Sequence, residues 1–144
     1  MLMGYEQYRA KRTFYKGIWF DSNLEARTAE ALDALGIQWQ FHADCFRDSR
    51  FPYNQYTPDF KLADGRYIEV AGFFDERHEM NARVLSMLLG AGGDKPMLIV
   101  VDGNGDCKEW FVTSIGNGGE EITLSRTCYQ FGPDANIFKA AGLR

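Results

Sequence analysis

Residues 57–71 read TPDFKLADGRYIEVA, two short strand-like runs around Ala63-Asp64-Gly65. A three-residue connection with glycine last suits a tight hairpin, because the closing residue takes a left-handed conformation. With Leu62 opposite Arg66, Lys61 faces Tyr67, Asp59 faces Glu69 and Thr57 faces Ala71. Directly opposed residues share a sheet face. Asp59, Lys61, Glu69 and Ala71 are therefore expected to point one way, and Phe60, Leu62, Ile68 and Val70 the other way, into a core.

Two carboxylates placed opposite one another repel unless something neutralises them. A divalent cation with hard oxygen ligands, Mg²⁺ or Mn²⁺, would do so. The alternative is an exposed sheet face whose charges point to water. Glu25 adds a third carboxylate, and it too has two readings. Ser22-Asn23-Leu24-Glu25 has capping-box spacing, in which Glu25 bonds back to the Ser22 amide; the same carboxylate could serve a metal.

The rest of the chain surrounds this hairpin with alternating elements. Residues 13–20 read as a hairpin around Lys16-Gly17. A helix is predicted from Ser22 to Leu35, stopped by Gly36, followed by a half-buried strand at Ile37–Phe41. His42–Tyr56 is read as a long polar and aromatic loop. Strands at Thr57–Leu62 and Arg66–Val70 come next, then a helix at Asp75–Leu89 closed by Gly90-Ala91-Gly92-Gly93. Pro96–Asp102 reads as a buried strand that turns at Gly103-Asn104-Gly105 into Cys107–Val112. A strand at Ile122–Leu124 and a short helix near Asn136–Ala141 complete the list. The order implies a mixed α/β fold, one central sheet flanked by helices. One domain over 1–144 is expected: an N-terminal arm and hairpin (1–20), a core (21–101), and C-terminal strands and tail (102–144).

The formal net charge of −4 does not suggest a protein that coats nucleic acid by charge alone. DNA contact would need a local basic surface: Arg9, Lys11, Arg12 and Lys16 in the arm, with Arg47 and Arg50 in the long loop. Tyr53 and Tyr56 in that loop could stack on bases. Trp19, Phe20, Trp39 and Phe41 are read as core. The longest apolar run, Met97–Val101, is far short of the ~20 residues a membrane span needs. No signal peptide opens the chain, so a cytoplasmic location is expected. Cys45, Cys107 and Cys128 form no metal knuckle. His42 with Cys45 carries no signature of a nucleophilic pair, and His78 reads as a surface residue.

FDSNLEARTAEALDALGI, TPDF and IEV, in that order, together resemble the PD-(D/E)XK nucleases, the restriction-endonuclease-like superfamily. The likeness is closest to small phage-type and Holliday-junction-resolving endonucleases, and it spans Phe14 to Val101. It implies a restriction-endonuclease-like core and a Mg²⁺- or Mn²⁺-dependent DNA endonuclease, a hydrolase of branched or duplex DNA used in recombination or repair. A bacterial or phage-infected cytoplasm and a homodimer that cuts two strands go with it. Carried over, Asp59, Glu69 and the Val70 carbonyl bind metal, while Glu25 supports a metal or its water. The family expects lysine two residues after Glu69. This chain has Ala71, which neither donates a hydrogen bond nor carries charge. Losing one preorganised stabiliser of developing charge costs ~10²–10³ in rate, so catalysis is expected to be impaired.

Three readings of Ala71 stand together. It is a deliberate Lys→Ala replacement, or the basic group has moved to Lys61, Arg77 or Arg83, or the chain is a natural pseudonuclease. The alternative function is a non-catalytic DNA- or protein-binding module on the same fold. A nucleic-acid-free regulatory protein is a third, and it predicts no salt-dependent DNA binding.

Overall fold

Leu98–Val101 is Leu-Ile-Val-Val, with no polar position at all. A strand of that composition has to be covered on both faces, the usual situation of a parallel strand. The computed structural model, which describes residues 11–89, 97–116, 119–125 and 135–143, shows this arrangement. In chain order its elements are β1 (Thr13–Tyr15), β2 (Ile18–Phe20), α1 (Asn23–Ala34), β3 (Trp39–Phe41), β4 (Phe46–Arg47), β5 (Gln55–Tyr56), β6 (Phe60–Leu62), β7 (Tyr67–Val70), α2 (Glu76–Leu89), β8 (Leu98–Val101), β9 (Cys107–Gly116), β10 (Gly119–Ser125) and α3 (Ile137–Ala140). Six of the strands form one sheet in the order β10-β9-β8-β7-β6-β3. β7 and β8 run parallel, and every other pair in that sheet is antiparallel. The fold is thus mixed α/β.

Period-2 alternation sorts the core into two layers. Phe60, Leu62, Ile68, Val70, Ile99 and Val101 pack with Ala29 and Leu32 of α1 and with Ile137 and Phe138 of α3. Tyr67, Ala71, Leu98 and Val100 pack on the opposite face with Ala82 and Leu85 of α2. The hairpin register follows the sequence: Phe60 pairs with Ile68 and Lys61 with Tyr67, and Leu62 N–H donates to Arg66 O at 2.8 Å. Gly65 closes the turn at φ +93, donating to Leu62 O.

Other expectations need correction. The segment His42–Tyr56 is not all loop, because β4 and β5 pair as a small ribbon, Phe46 with Tyr56 and Arg47 with Gln55. Two-residue strands carry too little alternation to be seen, and Phe51, buried in the α2-side core, anchors the turn between them. β6 begins at Phe60 rather than Thr57. Trp19 is not core: it is 56 % exposed, against the Phe14 ring at 5.1 Å, with Arg12 over it at 5.3 Å. The β1–β2 ribbon turns one face to the body, and Phe20, not Trp19, occupies that face. β9 and β10 outrun the predicted Cys107–Val112 and Ile122–Leu124 because each extends along the other, with a bulge between Glu121 and Ile122. Arg9, Cys128, Pro96 and the Gly90–Gly93 stop lie outside the described residues. Among the described residues no helix is long and apolar enough to cross a membrane.

One turn is held by a residue that cannot be larger. Gly105, at φ +82 after β8, would place a Cβ 2.4 Å from the Phe138 ring. Gly105→Ala combines a disfavoured backbone with overpacking, and a loss of about 2 kcal/mol is expected in urea unfolding. A neutral result would mean that α3 does not pack against this turn.

Candidate functional site

The C-terminal end of the β6–β7 hairpin meets the N-terminus of α1. There Asp59, just before β6, is buried, and its Oδ2 accepts the Val70 N–H at 2.7 Å. It thereby takes the place a ladder carbonyl would otherwise fill. His42 N–H donates to Asp59 O at 3.0 Å, which ties the end of β3 to the same point. On α1, Ser22 Oγ accepts from Glu25 N–H at 3.1 Å and caps the helix, but the expected return bond from Glu25 to the Ser22 amide is not the one formed. Glu25 Oε1 accepts from the Asp21 amide at 2.9 Å, one residue earlier than a capping box requires. That shift turns the buried Glu25 toward Asp59. Glu69 accepts from the Tyr56 hydroxyl at 2.5 Å.

Asp59 lies close enough to both Glu25 and Glu69 to share a hydrogen bond with each. Burial, then the neighbouring Asp59 charge, raises the Glu25 carboxyl to about 8. The same two causes, in the same order, push Glu69 well above the carboxylate range. Tyr56 is driven well above its usual value by burial and by Glu69. Among the described residues, no lysine or arginine forms a salt bridge with Glu25, Asp59 or Glu69. The picture of charges solvated on an open sheet face does not hold, since α2 covers the face that carries Glu69.

His42 approaches from the other side, its Nε2 3.6 Å from Asp59 Oδ1. It sits at φ +54 and stacks on Phe41. The bond to Asp59 raises its pKa, against the opposing effect of burial. Ligand atoms of Asp21, Glu25 and His42 lie within 4.8 Å of one another. Glu25 is therefore shared by two donor groups, one with Asp59 and one with Asp21 and His42.

These shifts fix the sign of a pH dependence. A group whose folded-state pKa is raised stabilises the fold below its unfolded pKa and loses that contribution as pH rises through the folded value. Glu25, Glu69 and His42 all shift upward. In EDTA the chain is expected to lose stability from about pH 5 to pH 8.5, at about 3 °C of thermal midpoint per kcal/mol for a domain of this size. Mg²⁺ or Mn²⁺ should restore most of the loss at the upper end. A midpoint flat across that range, or rising, would mean that the three carboxylates are not crowded in solution.

The basic candidates are dispersed. Lys61 is bound to Asp44 at 3.0 Å and lies over the Tyr67 ring, so it is held at a partner of its own. Arg50 clasps Asp48 with two nitrogens, Arg83 bonds Glu79, Lys16 bonds Asp33, and Lys11 and Arg47 are exposed. Arg77 alone of these lines the cleft into which Glu69 opens, a space of about 250 Å³ shared with Tyr53, Gln55, Thr57 and His78. His78 is not simply a surface residue: its imidazole bonds Asp75 at 2.8 Å, and Asp75 caps the first turn of α2 by accepting His78 N–H. A larger cleft of about 660 Å³ runs beside β3, lined by Lys16, Asp33, Trp39 and Lys61. It contains none of the three carboxylates, and its Asp33 is already bonded to Tyr15, Trp39 and Lys16. Chemistry, not cavity size, marks the site.

Ala71 follows Glu69 on the same face and is 2 % exposed, packed in the α2-side core. His42 and Asp21 are the members that sequence reasoning missed. Asp21 directly precedes the cap residue Ser22, and His42 directly follows a predicted strand, but only the fold brings them together. Compared with protein-family models, curated proteins and solved structures, the chain gives no match.

Proposed function

We propose that this chain is a metal-dependent DNA endonuclease on a restriction-endonuclease-like core, with catalysis lowered by Ala71. The observation that carries the reading is the convergence of Glu25, Asp59 and Glu69 without a lysine or arginine partner among the described residues. The order α1-β3-β6-β7-α2-β8, with three antiparallel strands and then a parallel one, supports the core assignment.

The donor set fits a hard divalent cation, Mg²⁺ or Mn²⁺: carboxylate oxygens that repel one another are the ligands such ions take. Asp59, Glu69 and the Val70 carbonyl would hold it, with Glu25 on the α1 side. When bound, such ions stabilise charge on the attacking and leaving oxygens of a phosphodiester displacement. The chain's own groups orient the ligands: the Val70 amide aims Asp59, the Tyr56 hydroxyl aims Glu69 and the Asp21 amide aims Glu25.

A second reading, a binding module that has lost the chemistry, is favoured by the close packing of Ala71. Cleavage of duplex, four-way-junction and single-stranded DNA in Mg²⁺ and Mn²⁺, by the chain beside Ala71→Lys, separates the two. Cutting that Asp59→Asn silences supports the nuclease. DNA binding without cutting by either form, unaffected by Asp59→Asn, supports the module.

A further inference from the structure

Tyr53 stands at the tip of the β4–β5 ribbon with 70 % of its surface exposed. An aromatic ring so presented is usually on a mobile loop, but this one is fixed from below. Phe51 is buried and Asn54 takes φ +63. Three backbone bonds tie Phe51 N to Asp48 O, Asn54 N to Phe51 O and Asp48 N to Asn54 O. The Arg77 guanidinium, from the first turn of α2, lies over one face of the Tyr53 ring, 5.7 Å from its centre. Ring and guanidinium line the same cleft as Glu69, with the polar side chains of Gln55, Thr57 and Asn81 around them.

The volume of that cleft, about 250 Å³, falls below the ~300–1,000 Å³ of sites for drug-sized ligands. It suits one planar group rather than an extended molecule. A planar ring, a cation and several hydrogen-bonding side chains together match a single nucleotide: the base stacks on the ring surface that the guanidinium leaves open, the amides and hydroxyl meet its edge, and the cation faces its phosphate. Arg77 would also offset the repulsion a phosphate meets from Glu69.

We propose that the Tyr53–Arg77 cleft is a nucleotide subsite that takes an unpaired base next to the scissile phosphate, which directs the site to DNA with single-stranded character. A base inside a duplex has both faces covered by its neighbours, so a protruding tyrosine gains nothing from it. The subsite rests on the proposed nuclease for its relation to the cut, but not for binding itself.

Fluorescence anisotropy tests this on the full chain in Ca²⁺, with a labelled oligothymidine and a blunt duplex of equal length. The single strand is expected to bind at least about tenfold tighter than the duplex, and Tyr53→Ala to remove about tenfold or more of that affinity. Tyr53→Phe, which keeps the ring, should retain it, and Arg77→Ala should weaken single-strand binding and flatten its salt dependence. Equal affinity for both DNAs, no binding of either, or an unchanged single-strand affinity in Tyr53→Ala overturns the subsite. The two proposals fail separately. Tyr53-dependent binding with no cleavage by Ala71→Lys removes the nuclease and leaves the subsite. Cleavage of duplex by Ala71→Lys that ignores Tyr53 does the reverse.

Discussion

Asp59→Asn is expected to make the metal-free chain more stable while abolishing both its response to Mg²⁺ or Mn²⁺ and any cleavage. Asparagine has the shape of aspartate, and its carbonyl oxygen can still accept the Val70 N–H that Asp59 Oδ2 accepts now. What disappears is a charge wedged between Glu25 and Glu69, each of which is raised by it. Removing a like charge from a buried cluster favours the fold, by an amount we put at about 1–2 kcal/mol, or about 3–6 °C in thermal midpoint. The substitution also removes the central anionic ligand, so added cation should no longer raise the midpoint. Cleavage by an Ala71→Lys chain should fall by at least ~10²–10³-fold. Thermal melts in EDTA and in Mn²⁺, with a cleavage assay, read all three effects. If Asp59→Asn lowered the midpoint in EDTA, Asp59 would serve the fold by capping β7, and the cluster would lose its claim to a metal.

How much of this was legible in the sequence follows from the range of each interaction. The hairpin was readable because its turn, its alternation and its register are all local: Ala63-Asp64-Gly65 dictates the pairing of Phe60 with Ile68. The buried strand β8 was readable because Leu-Ile-Val-Val leaves no polar face. Glu25 was readable only by halves. Capping spacing marks the start of the helix at Ser22, but the bond it predicts from Glu25 to the Ser22 amide is replaced by one to the Asp21 amide. The remaining features are tertiary. Alternation predicts that Glu69 and Ala71 share a face, yet not that Ala82 and Leu85 of α2 will close it. The same alternation puts Trp19 and Phe20 on opposite faces of β2 without saying which one meets the body. Lys61 looked available because its partner, Asp44, is seventeen positions back, in the connection between β3 and β4 that carries no periodic signal. His42 reaches the carboxylates only through the antiparallel pairing of β3 with β6.

Ala71→Lys is expected to raise metal-dependent cleavage by ~10²–10³ at a cost in stability of about 1–3 kcal/mol. The cost arises because Ala71 is 2 % exposed and belongs to the same α2-side core as Ala82 and Leu85. A lysine there cannot leave its ammonium in that layer. Its four methylenes must run along the sheet face toward Glu69, two residues back on the same side, and deliver the charge to the carboxylates and the open cleft. There the ammonium meets carboxylates that have no lysine or arginine salt bridge among the described residues, which offsets its loss of hydration. The gain should therefore depend on charge and not on bulk. Ala71→Met, with similar reach and no charge, should cost comparable stability and add no cleavage. Melting curves and turnover on the same DNA distinguish the two variants. If both forms stay folded and neither cuts in either cation, the nuclease reading gives way to the binding module. If the lysine and methionine forms cut equally, position 71 is not where this site lacks its cation. Arg77, the cation that already lines the cleft with Glu69, then becomes the position to vary.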